Sequence, residues 1–164
     1  MTELLIQIQP EQVCARLAKS ENNAIVPLQV TKYEDFFEVD PQAIWNAVTK
    51  CIKILLTGAK IPADRISAVE ISCELDITVL WDNETLGAVC AARGDSSTPT
   101  HRLAWLIEHN PAVVGTMAAG RLNSGSAVDY LISRMTRGLF SDDSGIGMTT
   151  EPSGFLGISA QIIA

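Results

Sequence analysis

"ISAVEISCELDITVLWDNETLGAV", residues 66–89, decides how this chain is read. Residues 66–72 form a compact apolar run of strand length, and 77–82, "ITVLWD", form a second. Between them lies the polar break Cys73-Glu74-Leu75-Asp76, which puts two acids close together. Asn83-Glu84-Thr85 is turn chemistry, and 86–92, "LGAVCAA", is small and apolar enough for a third strand. One strand, a break and a hairpin in so short a span predict a sheet.

Working outward toward the N-terminus, "DPQAIWNAVTKCIKILLTG" (40–58) predicts one amphipathic helix. Asp40 suits the N-cap and Pro41 the first helical position, where its missing N–H costs nothing. Ile44, Val48, Cys51, Ile52 and Leu55 recur at helical period as one apolar stripe, and Gly58 suits the C-cap. Before it, residues 3–9, 12–18 and 23–31 are strand-like and separated by Pro10-Glu11 and Glu21-Asn22-Asn23, the spacing of a β-meander. Toward the C-terminus, "RLAWLIEHNP" (102–111) predicts a helix limited by Pro111. "SAVDYLISRMTRG" (126–138) predicts another, with Val128, Leu131, Ile132 and Met135 on one face. From Ser141 the chain is rich in Ser, Gly and Asp before a last apolar segment at 155–164. Strands followed by helix and strand again predict an α/β fold, a mixed β-sheet flanked by helices.

The chain has 164 residues, enough for a single domain spanning 1–164 with a sizeable core. Its net charge of −7 argues against nucleic acid, because phosphates are held by clustered Lys and Arg. No apolar stretch approaches the roughly 18–20 residues of a membrane helix, and the N-terminus has no leader-like pattern, so a cytoplasmic protein without a membrane partner is expected. Cys14, Cys51, Cys73 and Cys90 are irregularly spaced, and no metal motif is present. His101 and His109 are too far apart for the i, i+4 pairing of a helical metal site. Arg93-Gly94-Asp95 and the sequon-like Asn83-Glu84-Thr85 are read as chance and as a turn, because both functions need an extracellular location. Trp45, Trp81 and Trp105 are read as core residues.

Four stretches carry a resemblance to a known family: "FFEVDPQAIWNAV" (36–48), the opening segment, "RLAWLIEHNPAV" (102–113) and "AGRLNSGSAVDYLISRMTRG" (119–138). In this order and spacing they resemble the N-terminal domain of the FGGY carbohydrate kinases, the glycerol kinase branch above all, over about residues 36–142. The resemblance implies a ribonuclease-H-like, actin-like ATPase half fold. It divides the chain into a meander at 1–35, a best-matching part at 36–142 and a divergent tail at 143–164.

The departures from the family pattern shape the functional expectation. The resemblance implies Mg-ATP as cofactor, held by a loop of the form Asp-x-Gly-Thr/Ser-Thr/Ser after the first strand. Here Gln9, Pro10, Glu11, Gln12 and Val13 stand in that register, and only Arg16 resembles the basic residue that follows. Glu11 would repel phosphate and Pro10 removes a donor, so no cofactor and no catalytic residue is expected. The family's Asn-Gln-Arg-Glu run aligns with Cys73-Glu74-Leu75-Asp76, and its Trp-x-Asp-x-Arg with Arg93-Gly94-Asp95-Ser96-Ser97. Glu74, Asp76 and Asp95 are thus the candidate remnants of a polyol site, against a plain reading as solvated or capping acids. Family members also run to about three times this length, with the base and the adenine site beyond the matched part. The expectation is a catalytically incompetent, kinase-like protein acting as an interaction or regulatory module, partnered by its own copy or another chain. The alternative is a carbohydrate- or polyol-binding protein, or a kinase subunit, that kept a remnant pocket.

Overall fold

The computed structural model describes residues 2–33, 36–74, 76–93, 98–137 and 154–156, with residues 31–33, 36–38 and 154–156 described by backbone alone. In chain order the elements are β1 (Thr2–Gln9), β2 (Gln12–Leu17), β3 (Asn23–Pro27), β4 (Val30–Tyr33), β5 (Phe36–Val39), α1 (Pro41–Ala59), β6 (Ile66–Cys73), β7 (Ile77–Asp82), β8 (Ala88–Arg93), α2 (Pro99–His109), α3 (Pro111–Ala118), β9 (Leu122–Ser126), α4 (Ala127–Met135) and β10 (Gly154–Leu156), with a 3-10 turn at Ala63–Arg65 before β6. They fall into two compact units that alternate along the sequence: residues 1–28, 43–75 and 151–164, and residues 29–42 and 76–150. The strands form two five-stranded sheets, β10-β6-β1-β2-β3 and β4-β5-β8-β7-β9, where the sequence suggests one mixed sheet.

The first unit is built on strand alternation. Leu4, Ile6 and Ile8 of β1, with Val13, Ala15 and Leu17 of β2, are buried, and the residues between them face the other way. The central pair β1–β6 is parallel, in register from Leu4↔Val69 to Ile8↔Cys73, while β1–β2, β2–β3 and β10–β6 are antiparallel. The expected stripe of α1 is buried, with Ile44, Val48, Cys51, Ile52 and Leu55 between 0 and 5 % exposed. Each such side chain contributes roughly 1.5–3 kcal/mol by leaving water. The Cys51 thiol donates to the Val13 carbonyl at 3.2 Å, tying helix to sheet.

The ends of α1 divide the expectations. Asp40 accepts the Gln42 amide at 2.9 Å, as an N-cap should. Gly58 is not the C-cap, because the helix runs on to Ala59 and the left-handed residue is Lys60, at φ 55°. The Ile61 N–H reaches the Leu56 carbonyl and the Lys60 N–H the Thr57 carbonyl, which is a Schellman closure with lysine in the position that favours glycine.

The second unit is antiparallel throughout. Its β7 is buried along its whole length, so it lies between packed faces rather than alternating. The expected strand at 23–31 is in fact two pieces: β3 ends at Pro27, and β4 begins at Val30 in the other sheet. Pro111 ends α2 as expected and also starts α3, with the Asn110 side chain accepting the Ala112 amide at 3.2 Å. The helix expected at 126–138 runs from Ala127 to Met135 under a capping box, in which Ser126 accepts from the Asp129 N–H and Asp129 from the Ser126 N–H. The expected loop and apolar tail lie outside the described residues, apart from the backbone of β10. Among the described residues no helix is long and apolar enough to cross a membrane.

Candidate functional site

In the first unit the point of interest is the β1–β2 connection. It is a two-residue turn, Pro10–Glu11, flanked by the Gln9↔Gln12 pair. Proline offers no N–H, and no glycine opens the backbone to a ligand. The amide side chains around the turn donate to one another and to one acid. Gln12 donates to the Gln9 side-chain oxygen, Gln7 donates to Glu74 Oε1, and Gln9 reaches the same oxygen at 3.5 Å. The Glu74 backbone N–H donates to the Ile8 carbonyl at 3.0 Å, continuing the parallel pairing past the end of β6. The end of the β1–β6 pair therefore presents a carboxylate whose nearest donors are neutral amides. Arg16 lies on β2 four pairs beyond the Gln9↔Gln12 pair, opposite Leu5 and exposed.

In the second unit Asp76 stands just ahead of β7 with 43 % of its side chain exposed. Its Oδ1 pairs with Arg102 Nη2 at 2.8 Å, and Arg102 Nε donates to Thr78 Oγ1 at 3.0 Å. Arg102 itself is completely buried. A buried guanidinium is tolerable only when charge-paired and hydrogen-bonded, which Asp76 and Thr78 accomplish. Its position follows from α2, where Thr98 caps the helix by accepting the His101 N–H and Arg102 lies one turn before the buried Leu106. Because Arg102 has no exposed surface, it cannot offer a ligand the guanidinium that Leu75 lacks.

A second acid in this unit is equally occupied. Asp82 accepts the backbone N–H groups of Glu84 at 2.9 Å and Thr85 at 3.0 Å, and Arg121 Nε at 3.0 Å. Those donors, the Thr85 N–H first, hold its carboxyl below the usual carboxylate range. This is the turn expected at Asn83–Thr85. Nearby, Trp81 and Tyr130 pack at 5.7 Å between ring centres, and Arg134 joins the Tyr130 hydroxyl to Gln42. Burial pushes the Tyr130 hydroxyl up, opposed by Arg134. Trp105 stacks on His109 at 4.7 Å, and His109 Nδ1 lies 2.9 Å from the Trp105 carbonyl. Among the described residues no three His, Cys, Asp or Glu side chains gather as a metal-holding group.

The chain can now be set beside known proteins. It is 26 % identical over 140 residues to a glycerol kinase of Allorhizobium ampelinum, a match covering 67 % of this chain and 28 % of that protein. It is 24 % identical over 135 residues to a glycerol kinase of Alcanivorax borkumensis, covering 64 % and 27 %. Among solved structures, Plasmodium falciparum glycerol kinase with ADP aligns at a TM-score of 0.67 and 14 % identity, over 84 % of this chain and 34 % of that one. A xylulose kinase from Rhodospirillum rubrum aligns at 0.63 and 16 %, over 81 % and 33 %. This chain is a distant homologue of the glycerol kinases with the fold of the FGGY kinases. No protein-family model matches it. The homologue spans little more than a quarter of the length of the curated relatives it matches.

For this glycerol-kinase homologue, the three candidate acids have separate fates. Glu74 belongs to the first unit and is held by Gln7 and Gln9. Asp76 belongs to the second and is held by Arg102. Asp95 lies outside the described residues. Arg102 is the residue that sequence reasoning missed. The available signal was a charged residue four before Leu106 on the apolar face of a helix, a place that demands a carboxylate partner.

Proposed function

We propose that this glycerol-kinase homologue does not transfer phosphate and works as an interaction or regulatory module built on the kinase scaffold. The observation that carries the reading is the two-residue Pro10–Glu11 turn at the end of β1, with its side-chain donors already committed to Gln9 and Glu74. Phosphoryl transfer depends on positioned backbone donors and charge stabilisation. A turn with a proline, a carboxylate and no glycine supplies neither. Thermal unfolding with and without Mg-ATP tests this, since a ligand bound to the folded state raises Tm. No shift is expected, and a saturable rise in Tm with Mg-ATP overturns the reading.

One observation favours a second reading, a retained polyol or sugar site. Asp76 keeps 43 % of its side chain exposed while its Oδ1 pairs with Arg102. On that reading glycerol or a pentose raises Tm without nucleotide, and Asp76→Ala and Asp95→Ala each remove the shift. A polyol shift that survives both substitutions sinks the assignment of these acids.

A further inference from the structure

We infer that the first unit pairs with a second copy of the chain through the outer face of its sheet. The inference rests on the interaction-module reading and deepens it. The inner face of this sheet carries α1 and the buried residues Leu4, Ile6, Ile8, Val13 and Ile71. On the outer face no described helix of the unit lies, and an open depression is lined by Leu5, Gln7, Cys14, Arg16, Glu70 and Ser72. A parallel pair such as β1–β6 is ordinarily covered on both faces. The exposed Ile25, opposite Cys14, extends the apolar part of this face onto β3.

The pattern of the face selects the occupant. Leu5 has Glu70 on one side and Arg16 on the other, one strand away in each direction. Two strand spacings, about 10 Å, separate the charged residues' backbones. The ion pairs among the described residues include neither of them. A two-fold axis laid along β1, between two such faces, places β6 of one copy over β2 of the other. Arg16 then meets Glu70 of the second copy, Glu70 meets Arg16, and Leu5 meets Leu5. One row further on, Gln7 meets Gln7, and an amide is both donor and acceptor. This is the self-complementary pattern that an isologous dimer requires. Sheets packed face to face cross at about 30°, which concentrates contact on these central rows and splays the strand ends apart.

Sedimentation velocity of the full chain across a concentration series tests the interface, with circular dichroism confirming that each variant is folded. The wild type is expected to dimerise, with a Kd that rises as salt is added. Arg16→Glu and Glu70→Arg should each weaken dimerisation about tenfold or more, and the double exchange should restore it to near the wild-type value. A wild type that stays monomeric, single variants that dimerise normally, or a double exchange that fails to rescue each overturns the proposal. The salt series gives its answer without any substitution. A monomer that also ignores Mg-ATP removes only this interface, whereas a Tm rise with Mg-ATP removes the module reading itself.

Discussion

The first unit is held together with no ion pair among its described residues, while the second carries three: Arg102–Asp76, Arg121–Asp82 and Arg121–Glu84. In the first unit α1 closes on the sheet through aliphatic side chains and one buried thiol. In the second, a buried guanidinium and a carboxylate-capped turn fix the ends of β7. Apolar packing tolerates exchange of like for like, whereas a buried charge ties its partner to one identity. The contrast explains why two acids from one aligned run, Glu74 and Asp76, should differ so much in what their loss costs.

The sharpest way to break the comparison is Asp76→Asn. Without the carboxylate charge, the buried Arg102 loses the ion pair that Asp76 supplies, and a loss of about 3 kcal/mol is expected in urea unfolding. A loss below about 0.5 kcal/mol would show that the second unit does not depend on this pair. Next in size is an alkaline effect from the first unit. Burial pushes the Cys51 thiol up from 9.0 to about 11. Because the folded value is the higher one, the contribution is intact below pH 9, where both states hold the proton, and is lost as pH rises from about 9 to 11. The unfolding free energy should fall by ~2 kcal/mol across that window, and Cys51→Ala should flatten it. The same burial keeps the thiol inert to iodoacetamide in the native state. Lys60→Gly should gain roughly 0.5–1 kcal/mol by relieving the left-handed conformation at the end of α1, read as a rise in the urea midpoint. Smallest of all, Glu74→Gln should change stability by no more than about 0.5 kcal/mol, because exposed amides rather than a buried charge hold it.

Where local chemistry dictated conformation, the sequence was readable. The Asp40-Pro41 start, the stripe of α1, β6, β7 and the Asn83–Thr85 turn all follow from period and capping. What escaped was structure imposed from a distance. β9, "LNSGS", has no apolar alternation, and it is a strand because it pairs with β7 from Asp82↔Leu122 to Thr78↔Ser126. Gly125 is required there, since a Cβ would lie 3.0 Å from the Trp81 ring and 2.9 Å from Asp129 Oδ2. The break between β3 and β4 is hidden because the run 23–31 stays apolar while the chain changes sheets. Of the candidate site, the acids were visible as residues of an aligned run. Their partners were not, because Gln7 lies 67 residues from Glu74 and Arg102 comes from a helix later in the chain.

The parallel pairing of β1 with β6 has a consequence for how the chain acquires its structure. β1 leaves the ribosome well before β6, so its central neighbour is not complete until Cys73. The β1–β2–β3 meander can form at once from local contacts, but its apolar inner face waits for α1 and for β6. The cost of closing that long loop falls before its reward, which places formation of this sheet among the slow steps of folding. For the nascent chain, the interval between the first strand and the sixth is when its aliphatic face is open to other chains.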